Sequence, residues 1–284
     1  MVIWDAVVDG VMDTLRLVPF LFVTYLLMEY IEHRTSDRTR LAISRADKFG
    51  PFPGAFLGIL PQCGFSAAAA GLYSGKVITA GTLIAVFLST SDEMLPIFLS
   101  SHAPVMLIVR ILAVKAVYGV LVGFLVDFLF RRLNQRKIGA GIHGICEHEH
   151  CNCEESIVKS TVKHTLSITL YIFLVSAALN LILALIGTEN LEHLILNKPV
   201  IGELLSAMVG LIPNCAASVA ITTLYLDGAM SAGAMMSGLL VGAGIGLLVL
   251  FRTNRSRREN WMIAGILYAA GVAGGILTGA LRLI

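Results

Sequence analysis

The chain has 284 residues, of which 56% are hydrophobic and 14% are charged, and its formal net charge is +2. A soluble domain carries roughly 25% charged residues, so this composition excludes an ordinary soluble protein. The near-neutral charge gives no reason to expect a nucleic-acid partner. The long apolar runs instead predict an all-α integral membrane protein that has the lipid bilayer as its partner.

Several apolar stretches are long enough to cross a membrane as helices. In chain order they are 12–31, 77–99, 104–130, 164–187, 229–251 and 260–284. Two further apolar stretches, 51–73 and 201–226, are interrupted by Pro61 and Pro213. Proline lacks a backbone N–H and breaks a helix, so each stretch is predicted to be a re-entrant hairpin or a pair of helices. The chain is therefore predicted to have about 8–10 transmembrane segments.

The distribution of Lys and Arg predicts the orientation in the membrane. The basic connections are 32–48, 131–163 and 252–258, and cytoplasmic loops hold an excess of such charges. If 51–73 and 201–226 each return to the side from which they enter, all three connections are cytoplasmic and both termini lie outside. We therefore predict a multi-pass protein of the inner (cytoplasmic) membrane. A kinked single span at each proline is the alternative, and hairpins that cross fully leave the loops on the same side.

The two interrupted stretches belong to an internal duplication. A shift of 152 residues aligns PQC at 61–63 with PNC at 213–215, and small residues elsewhere align at the same shift. The predicted domains are a first membrane repeat at 1–130, a cytoplasmic linker loop at 131–163 and a second repeat at 164–284. The predicted topology makes the repeats inverted, an arrangement typical of transporters whose substrate site lies where broken helices meet.

The predicted substrate site is built from the tips of the interrupted stretches. Cys63 and Cys215 supply soft sulfur ligands, and the neighbouring side-chain amides supply oxygen. The run LSTSDEM at 88–94 places two acids in an apolar span, where ionisable side chains are costly and usually functional. The predicted substrate-binding residues are Gln62, Cys63, Ser89, Asp92, Glu93, Asn214, Cys215 and Ser218.

These residues also have structural alternatives. A buried cysteine is usually a small apolar side chain, although two at equivalent positions of a duplication favour a site. Asp92 and Glu93 have the alternative of pairing with Arg110 or Lys115 of the following span. Neighbouring helix residues point about 100° apart, so one acid, Asp92, is expected to face the tips.

Two further groups of residues suit metal ions. Glu29, Glu32 and His33 lie on one helix face and are predicted to form a cytoplasmic entry, with an interfacial charged helix end as the alternative. The loop HGICEHEHCNCEE at 143–155 is dense in metal ligands but lacks zinc-finger spacing. Its predicted ligands, in a cytoplasm that keeps thiols reduced, are His143, Cys146, His148, His150, Cys151 and Cys153.

Four segments together resemble the ten-span heavy-metal exporter family, whose members are named as arsenic efflux proteins or manganese transporters. They are EYIEH at 29–33, PQCGF at 61–65, STSDE at 89–93 and PNCAAS at 213–218. The resemblance covers almost the whole chain and implies ten crossings and export of a metal or metalloid. The ligands of the loop at 143–155 are not carried over as transport residues.

We predict that the chain is not an enzyme but a secondary transporter that exports a heavy-metal cation (manganese- or zinc-like) or an arsenite-like metalloid. The transported metal or metalloid is the expected ligand, with no cofactor; a proton is a candidate coupling ion. A second copy of the chain in a homodimer is a candidate partner. The alternatives are an anion or organic-anion transporter of the elevator type, a metal-sensing channel, and a membrane metalloenzyme built on Glu29, Glu32 and His33.

Overall fold

The computed structural model describes residues 49–61, 63–91, 94–133, 165–175 and 200–284, together with the single residues 18, 19, 22, 23, 26 and 162. This part of the chain is helical and contains no β-strand. We number its helices in chain order as α1 (Pro51–Gly58), α2 (Cys63–Ser74), α3 (Ala80–Ser89), α4 (Met94–Ser100), α5 (Val105–Leu133), α6 (Thr165–Val175), α7 (Ile201–Gly210), α8 (Cys215–Leu226), α9 (Ala232–Val241), α10 (Gly246–Thr253) and α11 (Arg257–Leu281).

Long apolar segments give the molecule its membrane character. Within the described residues, the segments long and apolar enough to cross a membrane are Ala80–Ser100 (α3 and α4), Val105–Phe130 (within α5), Ala232–Thr253 (α9 and α10) and Arg257–Leu281 (α11). Helix α5 also exposes large apolar side chains, among them Val117, Leu121 and Phe128. A helix that is apolar on its outer face as well as its inner face fits a lipid environment. The predicted all-α membrane fold is confirmed.

Helices of the first half recur in the second half at the shift of 152 residues found in the sequence. Helices α2 and α8 begin at the equivalent residues Cys63 and Cys215, and both contain 12 residues. Helices α3 and α9 both contain 10 residues, and their N-caps are the equivalent hydroxyl residues Thr79 and Ser231. The duplication is therefore present in the helices, whereas the opposite orientation of the halves in a membrane stays a prediction.

Each proline-containing stretch is a pair of short helices. Helices α1 and α2 contain 8 and 12 residues, and α7 and α8 contain 10 and 12. Pro61 and Pro213 lie in the breaks between them. A helix of 12 residues is about 18 Å long, which is shorter than the hydrocarbon core of a bilayer. The prediction of proline-broken helix pairs is thus confirmed, and the choice between re-entrant and fully crossing pairs stays open.

Glycines hold the long helices of each half close together. Helix α3 crosses α5 where Gly81 meets Gly123, and α9 crosses α11 where Gly233 meets Gly275. A Cβ atom on Gly123 would lie 2.7 Å from the Gly81 carbonyl oxygen, and one on Gly275 would lie 2.6 Å from that of Gly233. Because the two contacts are equivalent under the duplication, both halves depend on the same small-residue packing.

The two halves contact each other reciprocally. Helix α2 packs on α10 and the equivalent helix α8 packs on α4, while α3 contacts α9. Phe87 of α3 and Met235 of α9 are fully buried. Phe98 of α4 meets Tyr225 of α8 edge to face, with ring centroids 6.2 Å apart. The apolar core therefore runs across the junction of the halves.

Two of the predicted spans are interrupted helices, a feature that the apolar pattern did not predict. One breaks after Ser89 at the end of α3, and the other breaks after Val241 at the end of α9. In the second break Gly242 leaves the helical conformation and Gly244 has a φ of 52°, which favours glycine. In the first, Pro96 has no N–H and its ring disfavours a helical turn before it. Non-helical backbone is tolerated in a membrane only where protein or water covers it.

Two buried carboxylates lie at the first turns of these interrupted helices. Asp127 of α5 accepts hydrogen bonds from the Gly81 N–H and the Thr79 hydroxyl, both at 2.8 Å. Glu203 of α7 places one carboxylate oxygen against Gly233 in the first turn of α9. Negative charge near a helix N-terminus is stabilising, so both acids support the helices that lead to the breaks. The sequence analysis did not single out either of them.

We predict that Gly275→Ala destabilises the protein, because the added methyl group would lie 2.5 Å from the Cβ atom of Ser237 on α9. Overpacking costs about 1–3 kcal/mol, so the melting temperature of the purified protein in detergent should fall by several degrees. Gly265→Ala on the same helix is the matched control, since nothing lies within 4 Å of its added Cβ atom. Equal melting temperatures for the two variants would contradict the close α9–α11 contact.

Candidate functional site

The two cysteines of the predicted tips lie side by side. Cys63 is the first residue of α2 and Cys215 is the first residue of α8. Their sulfur atoms are 3.4 Å apart, although 152 residues separate them in the chain. Cys215 is buried and Cys63 is partly buried. The structure thus brings equivalent positions of the two halves into direct contact.

The same local hydrogen bonds hold the backbone at both cysteines. The Ser66 hydroxyl donates to the Cys63 carbonyl at 2.8 Å, and the Ser218 hydroxyl donates to the Cys215 carbonyl at 2.9 Å. Asn214 has extended backbone and caps α8, because its side-chain oxygen accepts a hydrogen bond from an N–H in the first turn at 3.2 Å. The serine three residues after each cysteine thus makes the same contact in both halves, and the Asn214 cap marks the beginning of α8.

A small cavity lies at the first turn of α8. Its volume is about 10 Å³, which is room for one water molecule. The predicted site residues Asn214 and Ser218 line this cavity, together with Thr90 and Ser91 from the break after α3. The Ser91 hydroxyl also donates to the carbonyl of Ile59 between α1 and α2. The cavity thus lies where the breaks of both halves come together.

The halves differ in the space that they leave at this junction. Gly238 of α9 lines the cavity, whereas the equivalent position of the first half holds Val86. On the opposite side the space is filled, because a Cβ atom added to Gly246 would lie 2.8 Å from both Phe87 and Ser66. Among the described residues, this cavity therefore lies on the side of the second half, next to Asn214, the residue before Cys215, although neither cysteine lines it.

A buried lysine lies behind the cavity wall. Lys115 of α5 is fully buried, and its ammonium group donates to the carbonyl of Thr90 and, at 2.8 Å, to that of Leu239. Both carbonyls belong to cavity-lining residues at the ends of α3 and α9. From the sequence, Lys115 is predicted only as an ion-pair partner of Asp92 or Glu93. A lysine well inside an apolar span was the signal for a larger role.

Ser89 lies away from the cavity. Its hydroxyl donates to the Ala85 carbonyl of its own helix at 2.8 Å, and it packs against Gly58 of α1, where a side chain would collide with it. The next two residues, Thr90 and Ser91, line the cavity instead. Ser89 does not line this cavity, and its role in substrate binding stays a prediction.

The other predicted residues lie outside the described part of the chain. They are Glu29, Glu32, His33, Gln62, Asp92, Glu93, His143, Cys146, His148, His150, Cys151 and Cys153. Asp92 and Glu93 stand in the chain between Ser91 and Met94, which both line the cavity. Among the described residues, no group of three His, Cys, Asp or Glu side chains is placed to hold a metal ion. The cysteine pair is the soft-ligand group that this part of the chain contributes.

Comparison with known proteins adds one finding. Residues 3–179 match the model of a protein family described as "Putative, 10TM heavy-metal exporter". The match covers more than half of the chain and includes Cys63, the α3–α4 break and Lys115. Searches of curated proteins and of solved structures found no match.

We predict that mild oxidation with copper phenanthroline joins Cys63 to Cys215 within one chain. The sulfur atoms, now 3.4 Å apart, need to approach by about 1.4 Å to form a disulfide. The test uses a protein whose three loop cysteines are replaced by serine and whose loop at 131–163 carries a protease site. After cleavage of the loop, most of the two fragments should remain joined on a non-reducing gel.

The matched control for this cross-link is Cys63→Ser in the same background, which should release both fragments under all conditions. A reducing agent should also release the fragments of the oxidised parent protein. Free fragments after oxidation of the parent would contradict the contact between the two thiols.

Proposed function

We propose that this chain, which belongs to the ten-span heavy-metal exporter family, exports a thiophilic metal cation or a trivalent metalloid from the cytoplasm as a secondary transporter. The observation that carries the proposal is the contact between Cys63 and Cys215 at equivalent positions of the two halves. A transport family fits a protein that is not an enzyme. Broken helices that meet between repeats are where transporters of this construction bind their substrate.

The chemistry of the cysteine pair favours soft cargo. Thiolates bind zinc-like and cuprous ions well, whereas manganese prefers carboxylate, carbonyl and water oxygen. Asn214 and Ser218, which line the cavity near Cys215, carry amide and hydroxyl oxygens that would add neutral ligands when they leave their hydrogen bonds within α8. We therefore favour zinc- or cadmium-like ions and arsenite-like metalloids over manganese as the exported species.

The separation of the sulfur atoms supports bent coordination. At a metal–sulfur distance of about 2.3 Å, two sulfur atoms 3.4 Å apart subtend an angle of about 95° at the ion. A tetrahedral metal or a pyramidal metalloid is close to this angle, whereas a linear two-sulfur site would need a much wider separation. The cargo would therefore lie beside the two sulfur atoms and complete its coordination with oxygen ligands from the cavity.

The size of the cavity requires movement during transport. Space for one water molecule does not admit a hydrated ion. We propose that cargo reaches the thiols when α2 and α8 separate on one side of the membrane, and leaves when they separate on the other. The reciprocal packing of α2 on α10 and of α8 on α4 supports two such equivalent movements.

Residues outside the described helices extend the proposed route. Glu29, Glu32 and His33 would collect the cargo at the cytoplasmic end of the first span. The ligand-rich loop at 143–155 would capture or sense metal in the cytoplasm, where its thiols stay reduced. Asp92 or Glu93 would supply charge at the site or carry a coupling proton.

Transport of an anion is the second candidate. Helices α2 and α8 both begin at the cysteine pair, and helix N-termini attract negative charge. The Lys115 ammonium lies behind the wall of the adjoining cavity. Asp92 and Glu93, which follow Ser91 in the chain, carry the opposite charge and favour a cation or a neutral metalloid.

We predict that the double variant Cys63→Ser/Cys215→Ser loses export of cadmium and arsenite. Serine has nearly the same size but is a hard ligand, and loss of both thiols should slow efflux by about tenfold or more. The measurement is the total element content of cells by mass spectrometry, after loading them separately with manganese, zinc, cadmium or arsenite.

Thr223→Ala is the matched control for the export assay, because this exposed hydroxyl of α8 bonds only to the Val219 carbonyl of its own helix. It should export like the wild type. Unchanged export by the double cysteine variant would rule out the cysteine site and place the anion candidate first. Export of manganese alone would contradict the preference for soft cargo.

A further inference from the structure

Lys115 joins the ends of the two interrupted helices. Its ammonium group donates to the carbonyl of Thr90, the C-cap residue of α3, and to that of Leu239 in the last turn of α9. The N–H of Ala243, which would bond to Leu239 in a continuous helix, donates instead to the Val241 carbonyl at 2.7 Å. The break in α9 therefore frees a carbonyl, and the ammonium group binds it.

A cation is expected to bind where the carbonyl ends of two helices converge. Carbonyls in the last turn of a helix carry the partial negative charge of the helix dipole, and here the ends of two helices converge. In transporters with broken helices, the C-terminal ends of half-helices and unwound carbonyls coordinate the coupling sodium ion or proton. Lys115 places a covalently attached cation at a site of this kind.

Few ionisable side chains lie near Lys115 in the described part of the chain. The neighbouring helices α1, α3 and α9 contain no ionisable side chain. On α5 itself, Arg110 is exposed and Asp127 binds the opposite end of α3; Asp92 and Glu93 follow α3 outside the described residues. The equivalent of Lys115 in the second half is Leu267, which is also fully buried. One ammonium group thus serves both halves.

We propose that the Lys115 ammonium is the resident cation of a monovalent-cation site formed by the ends of α3 and α9, and that export therefore needs no sodium ion. The proposal that Lys115 occupies this site does not depend on which substance is transported. The sodium independence rests on the proposed export function. The two statements are tested by separate measurements, so that failure of one is distinguishable from failure of the other.

The first experiment measures melting temperatures of the purified full-length protein in detergent, in sodium chloride and in choline chloride at equal ionic strength. Lys115→Ala should melt at a lower temperature than the wild type in choline, because two buried carbonyls lose their donor. Sodium should raise the melting temperature of this variant by at least about 3 °C, because it reoccupies the vacated site, and should leave the wild type unchanged.

Ile111→Ala is the matched control, since Ile111 is fully buried one helical turn earlier on α5 but binds no carbonyl through its side chain. It should be destabilised without responding to sodium. Lys115→Ser is measured in parallel, because its polar hydroxyl can bind a water molecule in the vacated space and so helps the variant to fold. The inference is overturned if neither lysine variant responds to sodium, or if Ile111→Ala responds equally.

The second experiment measures cadmium and arsenite flux by the wild-type protein in proteoliposomes, with sodium or choline as the monovalent cation. Equal flux in the two salts is the expected result. Flux that requires sodium would overturn sodium independence. Absence of flux in both salts would contradict the proposed export of these species, while the melting temperatures still decide whether Lys115 occupies a cation site.

Discussion

The backbone groups freed where α3 and α9 stop must find partners inside the protein, because lipid offers none. Lys115 binds freed carbonyls at both helix ends, and the Ser91 hydroxyl binds the carbonyl of Ile59 in the neighbouring break. The same interruption opens the small cavity that Asn214 of α8 lines. One constraint, that backbone groups at the breaks must be hydrogen-bonded within the protein, thus accounts for the buried lysine. The same breaks also form the candidate site.

The two halves are alike where they build the scaffold and differ where they meet. Equivalent glycine contacts hold α3 to α5 and α9 to α11, and equivalent serines bind the carbonyls of Cys63 and Cys215. At the junction the halves diverge, because Lys115 is matched by Leu267 and Gly238 by Val86. Because a single ammonium group reaches both helix ends, the second half needs no cation at the position of Leu267.

Some of the candidate site could be predicted from the chain because it depends on local chemistry. A proline that breaks a helix, followed by an amide and a thiol, marks both tips, and the repetition of this pattern indicates that the tips meet. The interruptions after α3 and α9 could not be predicted in this way, because hydropathy reports transfer to lipid and not the continuity of a helix. For the same reason the sequence does not distinguish Ser89 from Thr90 and Ser91, since only the direction of the helix end separates them.

The sequence by itself determined the class of protein, the helical fold, the proline breaks and the duplication, because composition, spacing and backbone chemistry act over a few residues at a time. The tertiary structure alone decided that Cys63 touches Cys215 across 152 residues and that Lys115 reaches the carbonyl of Leu239 across 124. It also decided that the cavity opens on the side of the second half. These features depend on how closely glycine lets whole helices approach one another, and no local preference along the chain encodes that distance.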